Sequence, residues 1–204
     1  MSTAAVIPSL PPPQDACAPY TVVMVCTGNI CRSAMAQIVL IDRLAGSGAG
    51  TAVRVTSAGV SAEEHGHPID PRARQVLHAH GYGEGADEAS RSVAASIRGH
   101  RASRITDSEL KEADLLLAMT RAHEVELCRR LRALGSDETR VRMFRELDPQ
   151  APAQVGEGAL DVQDPWYGTM SDFEDTLEVV ERVCDALAPA LAEVGGMTPA
   201  TGEG

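Results

Sequence analysis

The feature that most restricts the fold of this 204-residue chain is a short apolar run, TVVMVC at positions 21–26, with a helical pattern close behind it. The run is rich in β-branched residues and has no polar break, which predicts a strand buried on both faces. Apolar residues then recur at helical spacing from Ser33 to Leu44, and the sequence AGSGAG ends that helix. A buried strand, a short loop and a helix in this order form the building unit of a parallel α/β sheet.

The same alternation of strand and helix continues along the chain. Further strands are predicted at three places: AVRVTSAG (52–59), ADLLLAMT (113–120) and TRVRMF (139–144). Further helices are predicted in three segments: one that opens at Asp70–Pro71, RAHEVELCRRLRALG, and SDFEDTLEVVERVCDALAPALAEV with Ser171 or Asp172 as its cap. We interpret residues 84–99 as an inserted loop and residues 145–171 as one long loop. The pattern predicts an α/β fold whose parallel sheet is covered by helices on both faces.

Length and composition favour a single domain. The chain is 44% hydrophobic and 23% charged, which is enough apolar material for one core and too little for two. We assign this domain to residues 20–194. The proline-rich residues 1–19 are expected to form an extended, unpacked, disordered tail, and residues 195–204 are expected to form a disordered C-terminal tail.

Charge and cysteine content disfavour several classes of protein. The net charge of −11 would repel the phosphates of a nucleic acid. No segment approaches the ~20 apolar residues that span a bilayer, and the N-terminus lacks the charged region of a signal peptide. Five cysteines are an odd number for a disulfide framework. We therefore expect a cytoplasmic protein that binds neither nucleic acid nor membranes.

The loop between the first strand and the first helix carries the pattern C-x5-R-S, from Cys26 to Ser33. It lies at the carboxyl end of a parallel strand, where α/β sheets bind ligands, and its backbone N–H groups can converge on an anion. Gly28 and Asn29 tolerate the positive φ that such a loop needs. Arg32 can grip two oxygens of the anion, and Ser33 can donate to the sulfur. The loop is therefore predicted to hold a tetrahedral dianion against a Cys26 thiolate.

Other interpretations of this loop have less support. Cys26 and Cys31 could be metal ligands, but C-x4-C is not the usual zinc spacing and no second ligand pair is evident. The nucleotide pattern G-x4-G-K-[ST] is absent. Five histidines show no ligand spacing and are expected at the surface or in packing contacts: His65, His67, His78, His80 and His100. We expect neither a metal nor a cofactor.

The stretch VVMVCTGNICRSAMAQ resembles the signature of the low-molecular-weight protein tyrosine phosphatases. The resemblance continues in order through TSAGV, GHPIDPRA, HRASRITDSELKEADLLLAMT and DPWYGTMSDFEDTLEVVERVCDAL, over about residues 20–194. It implies a single flavodoxin-like α/β domain with a four-stranded parallel sheet. It also implies a metal-independent hydrolase of phosphate monoesters, acting on phosphotyrosine-containing proteins or small aryl phosphates. We expect this enzyme to be a monomer or weak dimer.

The resemblance implies roles for individual residues. Cys26 would be the nucleophile that forms a phosphocysteine, and Arg32 would bind the phosphoryl oxygens. Asp164, in DPWYG, would protonate the leaving phenol and then activate water. Asn29 would hold the loop in its strained shape. The phosphate-binding loop would comprise Thr27, Gly28, Asn29, Ile30, Cys31, Arg32 and Ser33.

The walls of the implied pocket differ in character. Trp166 and Tyr167 follow the acid and are expected to form one side of a slot for an aromatic ring. Family members often carry an aromatic residue on the opposite side, where this chain has Glu63 or Glu64, so that wall is expected to be acidic. Cys31 is implied to form a reversible disulfide with the nucleophile, and simple packing is the alternative.

Three other functions remain as alternatives. A protein arginine phosphatase of this type has threonine before the second loop cysteine, whereas this chain has Ile30. An arsenate reductase needs a closely spaced cysteine pair, whereas Cys128 and Cys184 lie on different predicted helices. A catalytically inactive binding module is expected to lack the nucleophile or the acid, but Cys26 and Asp164 are both present.

Overall fold

The computed structural model describes residues 7–152, 156 and 158–195. Its sheet has four parallel strands in the order β2-β1-β3-β4, which confirms the predicted α/β fold. The strands are β1 (Tyr20–Cys26), β2 (Val53–Gly59), β3 (Leu115–Ala118) and β4 (Val141–Met143). All seven residues of β1 are buried, because this strand pairs with a neighbour on each side and carries helices on both faces.

Among the described residues, six helices cover the two faces of the sheet. They are α1 (Arg32–Gly46), α2 (Pro71–Ala79), α3 (Glu88–Gly99), α4 (Asp107–Glu112), α5 (Arg121–Ala133) and α6 (Met170–Val194). Alternate residues of β1 point to opposite faces: Val22 and Met24 pack with helices α1, α2, α3 and α6, and Val23 and Val25 pack with α4 and α5. The sheet therefore lies between two apolar layers, one on each face.

Several boundaries differ from the predictions. Residues 88–99 form helix α3 instead of a loop, capped by Asp87, whose side chain accepts from Ser90 N. Only Val93 and Ile97 of that helix are buried, so its apolar pattern in the sequence is weak. Thr169, not Ser171 or Asp172, caps α6, and Asp172 is the third-residue partner of its capping box.

The predicted long loop at residues 145–171 is also wrong in part, because it is interrupted by regular structure. A 3-10 helix spans Phe144–Leu147 and a second spans Pro165–Tyr167. The second helix begins directly after Asp164, whose carboxylate caps it. The residue predicted to be the acid is therefore held at the start of a fixed turn.

The N-terminal segment is packed where the sequence predicted an unpacked tail. Ile7 and Leu10 contact the apolar core, and Pro11 is buried with its carbonyl accepting from Tyr20 OH at 2.9 Å. Gln14 N donates to the buried Asp114 carboxylate at 2.7 Å. Proline removes backbone donors but leaves carbonyls free to accept, so a proline-rich segment can still pack on the domain. Residues 1–6 and 196–204 of the predicted tails lie outside the described residues.

Within the described part of the chain, no helix combines the length and the apolar character needed to cross a bilayer.

Candidate active site

The 26–33 loop connects the end of β1 to the start of α1 and lies at the carboxyl edge of the sheet. It packs closely on the end of β2: Val60 N donates to Cys26 O at 2.9 Å and Ser61 N to Thr27 O at 3.0 Å. A Cβ atom on Gly59 would lie only 2.4 Å from Thr27 O. Glycine at the end of β2 is therefore what allows the two backbones to approach.

The Cys26 sulfur lies beneath the loop and is almost fully buried. The backbone N–H of Asn29 donates to it at 3.3 Å, and Ser33 Oγ lies 3.0 Å away. The Asn29 side-chain amide donates to the same Ser33 oxygen at 3.0 Å. Because an amide N–H can only donate, the Ser33 hydroxyl accepts there, and its own proton is free to point at the sulfur.

Asn29 supports the loop from within. It has a φ of 60°, in the left-handed region, and is fully buried. Its side chain also donates to Ser57 Oγ at 2.8 Å and accepts from Ser103 N at 3.1 Å, so it ties the loop to β2 and to the segment after α3. The Asn29 carbonyl accepts from His100 Nε2 at 2.7 Å. One buried side chain thus holds the loop through contacts on several elements.

Arg32 is buried at the start of α1 with its guanidinium facing the same space as Cys26. Its Nη1 donates to Val162 O at 3.2 Å, and its Nη2 donates to the Asp164 carboxylate. Its Nε is buried and has no hydrogen-bond partner among the described residues. An unpartnered buried N–H costs free energy, and an anion in the pocket would satisfy it.

The acid loop, residues 164–168, faces the 26–33 loop across the pocket. Asp164 accepts from Trp166 N at 3.2 Å, and its side chain is 44% exposed. Pro165 is buried, Trp166 is half-buried, and Tyr167 is 96% exposed. Asp164 and its two aromatic neighbours are thus set on one short 3-10 turn at the pocket rim.

These residues enclose a pocket of about 280 Å³. Its lining includes most of the residues singled out in the sequence: Cys26, Thr27, Gly28, Ile30, Cys31, Arg32, Glu63, Glu64, Asp164, Trp166 and Tyr167. Asn29 and Ser33 lie buried in the loop that forms the pocket floor. Residues separated by more than 130 positions therefore face a single cavity.

Comparison with known proteins gives the same assignment. The family model described as low molecular weight phosphotyrosine protein phosphatase matches residues 21–195. This chain belongs to that family. A protein of Mycobacterium tuberculosis named low molecular weight protein-tyrosine phosphatase A is 43% identical over 169 residues, which is 83% of this chain and 90% of the relative. A low molecular weight protein-tyrosine-phosphatase of Streptomyces coelicolor is 37% identical over 174 residues, covering 85% and 94%.

Solved structures agree with the fold of this phosphatase-family chain. A protein tyrosine phosphatase from Entamoeba histolytica superposes with a TM-score of 0.67 at 22% identity, over 85% of this chain and 97% of the other. A low molecular weight protein tyrosine phosphatase from T. tengcongensis gives a TM-score of 0.62 at 30% identity, over 82% and 97%. The predicted family and four-stranded fold are confirmed.

Two histidines of this phosphatase-family chain contact the 26–33 loop, and no spacing in the sequence indicates either contact. His123 is buried with Nε2 2.9 Å from Thr27 Oγ1 and Nδ1 2.9 Å from Thr120 Oγ1. Burial, and then the positive charge of Arg32, lower the pKa of His123 to about 4. His100, expected at the surface or in packing, is buried against the loop, and burial lowers its pKa as well.

The remaining candidate residues of this family member occupy varied positions. Cys31 is buried at the N-cap of α1, and burial, followed by the charge of Asp70, raises the pKa of its thiol. Glu63 is exposed, while Glu64 is half-buried and its carboxylate lies 2.7 Å from His67 Nδ1. In the ranges 7–152 and 158–195, together with residue 156, no group of three or more His, Cys, Asp or Glu side chains is placed to hold a metal.

Proposed function

We propose that this chain hydrolyses phosphate monoesters, with protein phosphotyrosine preferred, through a phosphocysteine on Cys26. The observation that carries the proposal is the convergence of Cys26, Arg32 and Asp164 on one pocket. A nucleophile, an anion clamp and a carboxyl group on opposite sides of a cavity are the groups that phosphoryl transfer requires. The names of the family relatives support the same substrate class.

In the first step, the phosphoryl group displaces the Asp164 carboxylate from Arg32 and binds the loop amides. Once it has left the guanidinium, the carboxylate takes up a proton from solvent and becomes the neutral acid. Arg32 then uses its free Nε–H, together with the Nη2–H that had contacted the acid, to grip two phosphoryl oxygens. The Cys26 sulfur attacks phosphorus, and the P–O bond to tyrosine breaks. The tyrosyl oxygen takes a proton from Asp164, which waits at the rim.

In the second step, the Asp164 carboxylate accepts a proton from water as the water oxygen attacks the phosphocysteine. The S–P bond breaks, which releases inorganic phosphate and restores the thiolate. Ser33 and Asn29 N–H donate to the sulfur as it regains negative charge. Electrostatic stabilisation of this kind accounts for a large part of many rate enhancements.

Trp166 and Tyr167 support a preference for an aromatic ester over an alkyl one. Both line the pocket above the loop, so a phenyl ring can reach the phosphate site while contacting them. Glu63 and Glu64 on the same rim add negative charge, which we propose selects among the residues that flank the phosphotyrosine. A small aryl phosphate would serve as a substrate for the same reason.

Cys31 is proposed to protect the nucleophile from overoxidation. Peroxide would convert the Cys26 thiolate to sulfenic acid, and the Cys31 thiol would then displace water to form a disulfide. Cys31 lies five positions after Cys26 on the same loop, and both residues line the pocket. Five free cysteines among the described residues support a reducing, cytoplasmic compartment, and we propose a monomer or weak dimer there.

The proposal is tested by hydrolysis of phenyl phosphate, followed as released inorganic phosphate, in the presence of a metal chelator. We expect Cys26→Ser to abolish activity and Asp164→Ala to lower kcat by about 10²-fold or more. Cys128→Ser, at a half-buried thiol on α5, is the matched control and should behave as wild type. An unimpaired Cys26→Ser protein would rule out the mechanism. Phosphotyrosine and phosphoarginine peptides run side by side then separate the two nearest substrate classes.

A further inference from the structure

A second ion pair, Asp70 with Arg72, lies between the two loops of the site. Asp70 N donates to Ile30 O of the 26–33 loop at 2.9 Å. The Asp70 side chain is almost fully buried and caps α2 by accepting from Arg72 N at 2.8 Å. This aspartate is therefore fixed both to the loop that holds the nucleophile and to the first turn of a helix.

Arg72 uses both edges of its guanidinium. Its Nε and Nη2 donate to the two Asp70 carboxylate oxygens at 3.1 and 3.0 Å. Its Nη2 also donates to Trp166 O at 3.1 Å, and its Nη1 donates to Gly168 O at 3.3 Å. The guanidinium carbon lies 4.6 Å from the Phe173 ring centroid, a stacking distance that fixes the plane of the group. The side chain thus bridges Asp70 and the backbone of the acid loop.

The acid loop is held at its other end by different groups. Val162 N donates to Met119 O of the chain after β3 at 2.8 Å, and Val162 O accepts from Arg32. Asp164 lies between this anchor and the carbonyl of Trp166, two residues away on each side. A segment this short has little freedom when both ends are fixed, so the Arg72 contacts restrict where the Asp164 carboxyl group can lie.

We propose that Arg72 is a positioning residue, which holds the acid loop at a fixed distance from the nucleophile so that Asp164 can reach the leaving oxygen. The inference rests on the proposed function, since it assigns Arg72 an effect that passes through Asp164. Arg72 does not line the pocket, so it acts without touching substrate. Lysine cannot replace it, because a single ammonium group cannot donate to both Asp70 carboxylate oxygens and to two backbone carbonyls at once.

The test compares kcat/KM for two substrates in wild type, Arg72→Met, Arg72→Lys and Arg74→Met. Phenyl phosphate releases a phenol whose pKa is ~10, like that of tyrosine, and needs a proton as it leaves. p-Nitrophenyl phosphate releases a far more acidic phenol, which needs a proton from the enzyme much less as it leaves. Arg74 lies on the exposed face of α2 and outside the pocket lining, so its variant controls for loss of a charge on that helix.

We expect both Arg72 variants to lose between about 10- and 100-fold in kcat/KM for phenyl phosphate and less than about threefold for p-nitrophenyl phosphate. Arg74→Met should match wild type with both. Partial unfolding would reduce both values equally, so the ratio of the two substrates separates positioning from stability. The inhibition constant of inorganic phosphate should change by less than about twofold, because the 26–33 loop keeps its own contacts.

A double variant completes the test. In the Asp164→Ala background, Arg72→Met should cause no further loss of kcat/KM for phenyl phosphate, because the group it positions is already gone. Equal losses for both substrates, or a full additional loss in the double variant, would overturn the inference. If Asp164→Ala itself leaves phenyl phosphate hydrolysis intact, the proposed function fails. If Asp164→Ala is impaired and Arg72→Met is not, the proposed function stands and only the role of Arg72 fails.

Discussion

Asn29 offers a direct measure of how strongly the 26–33 loop is held. Substitution by alanine removes three side-chain hydrogen bonds, to Ser33, Ser57 and Ser103, from a residue with no exposed surface. At about 1 kcal/mol each, their loss costs about 3 kcal/mol. Alanine at a φ of 60° adds about 1 kcal/mol more. We expect Asn29→Ala to lower the free energy of unfolding by about 4 kcal/mol, a large share of the 5–15 kcal/mol typical of a domain.

Urea unfolding followed by circular dichroism measures this loss, and Asn29→Gly separates its two causes. Glycine loses the same hydrogen bonds but adopts positive φ without strain, so it should be about 1 kcal/mol less destabilised than alanine. The affinity for inorganic phosphate should fall in both variants, because the loop amides lose their support. An Asn29→Ala protein within about 1 kcal/mol of wild type would refute the assignment of this residue as the loop's internal brace.

Two further predictions concern pH and oxidation. Because burial lowers the pKa of His123 to about 4 from its ordinary value of 6.5, the unfolded chain takes up a proton that the folded chain does not. The stabilisation from neutral His123 is present above pH 6.5 and is lost as the pH falls toward 4. Between pH 7 and pH 5 in urea titrations, the free energy of unfolding of wild type should therefore fall by about 2 kcal/mol more than that of His123→Gln. Equal slopes would contradict this. After treatment with peroxide, thiol reductant should restore activity in wild type but much less in Cys31→Ser, and equal recovery would exclude Cys31 as the partner of Cys26.

The sequence predicted those parts of the site that are local in the chain. The 26–33 loop could be interpreted because Cys26, Arg32 and Ser33 lie within a few positions of each other, between a strand and a helix of ordinary pattern. Asp164 was different. It contacts Arg32 from 132 positions away, and nothing in spacing links the two. Only the resemblance to a known family brought the acid into the prediction.

Two features missed from the sequence, the roles of His123 and Arg72, share a physical reason, since both depend on contacts between distant segments. His123 supports Thr27 across 96 positions, and Arg72 reaches the carbonyl of Trp166 across 94. Helix α3 was missed for another reason, because alanine and serine fill half of its 12 positions and weaken its apolar period. The N-terminal segment docks through the Pro11 carbonyl, the N–H groups of Gln14 and a few apolar side chains, which leave no periodic trace.

The contact between Arg32 and Asp164 has a consequence for which ions can enter the cavity. The Arg32 guanidinium already faces the Asp164 carboxylate, so the pair presents little net charge. An anion that enters the cavity therefore replaces one negative partner of Arg32 by another. We expect a monovalent anion such as chloride to gain little beyond a contact with the Arg32 Nε–H, whereas a doubly charged phosphate ester would bring a second negative charge to the guanidinium. We therefore expect the Arg32–Asp164 ion pair to disfavour monovalent anions in the cavity more than doubly charged ones.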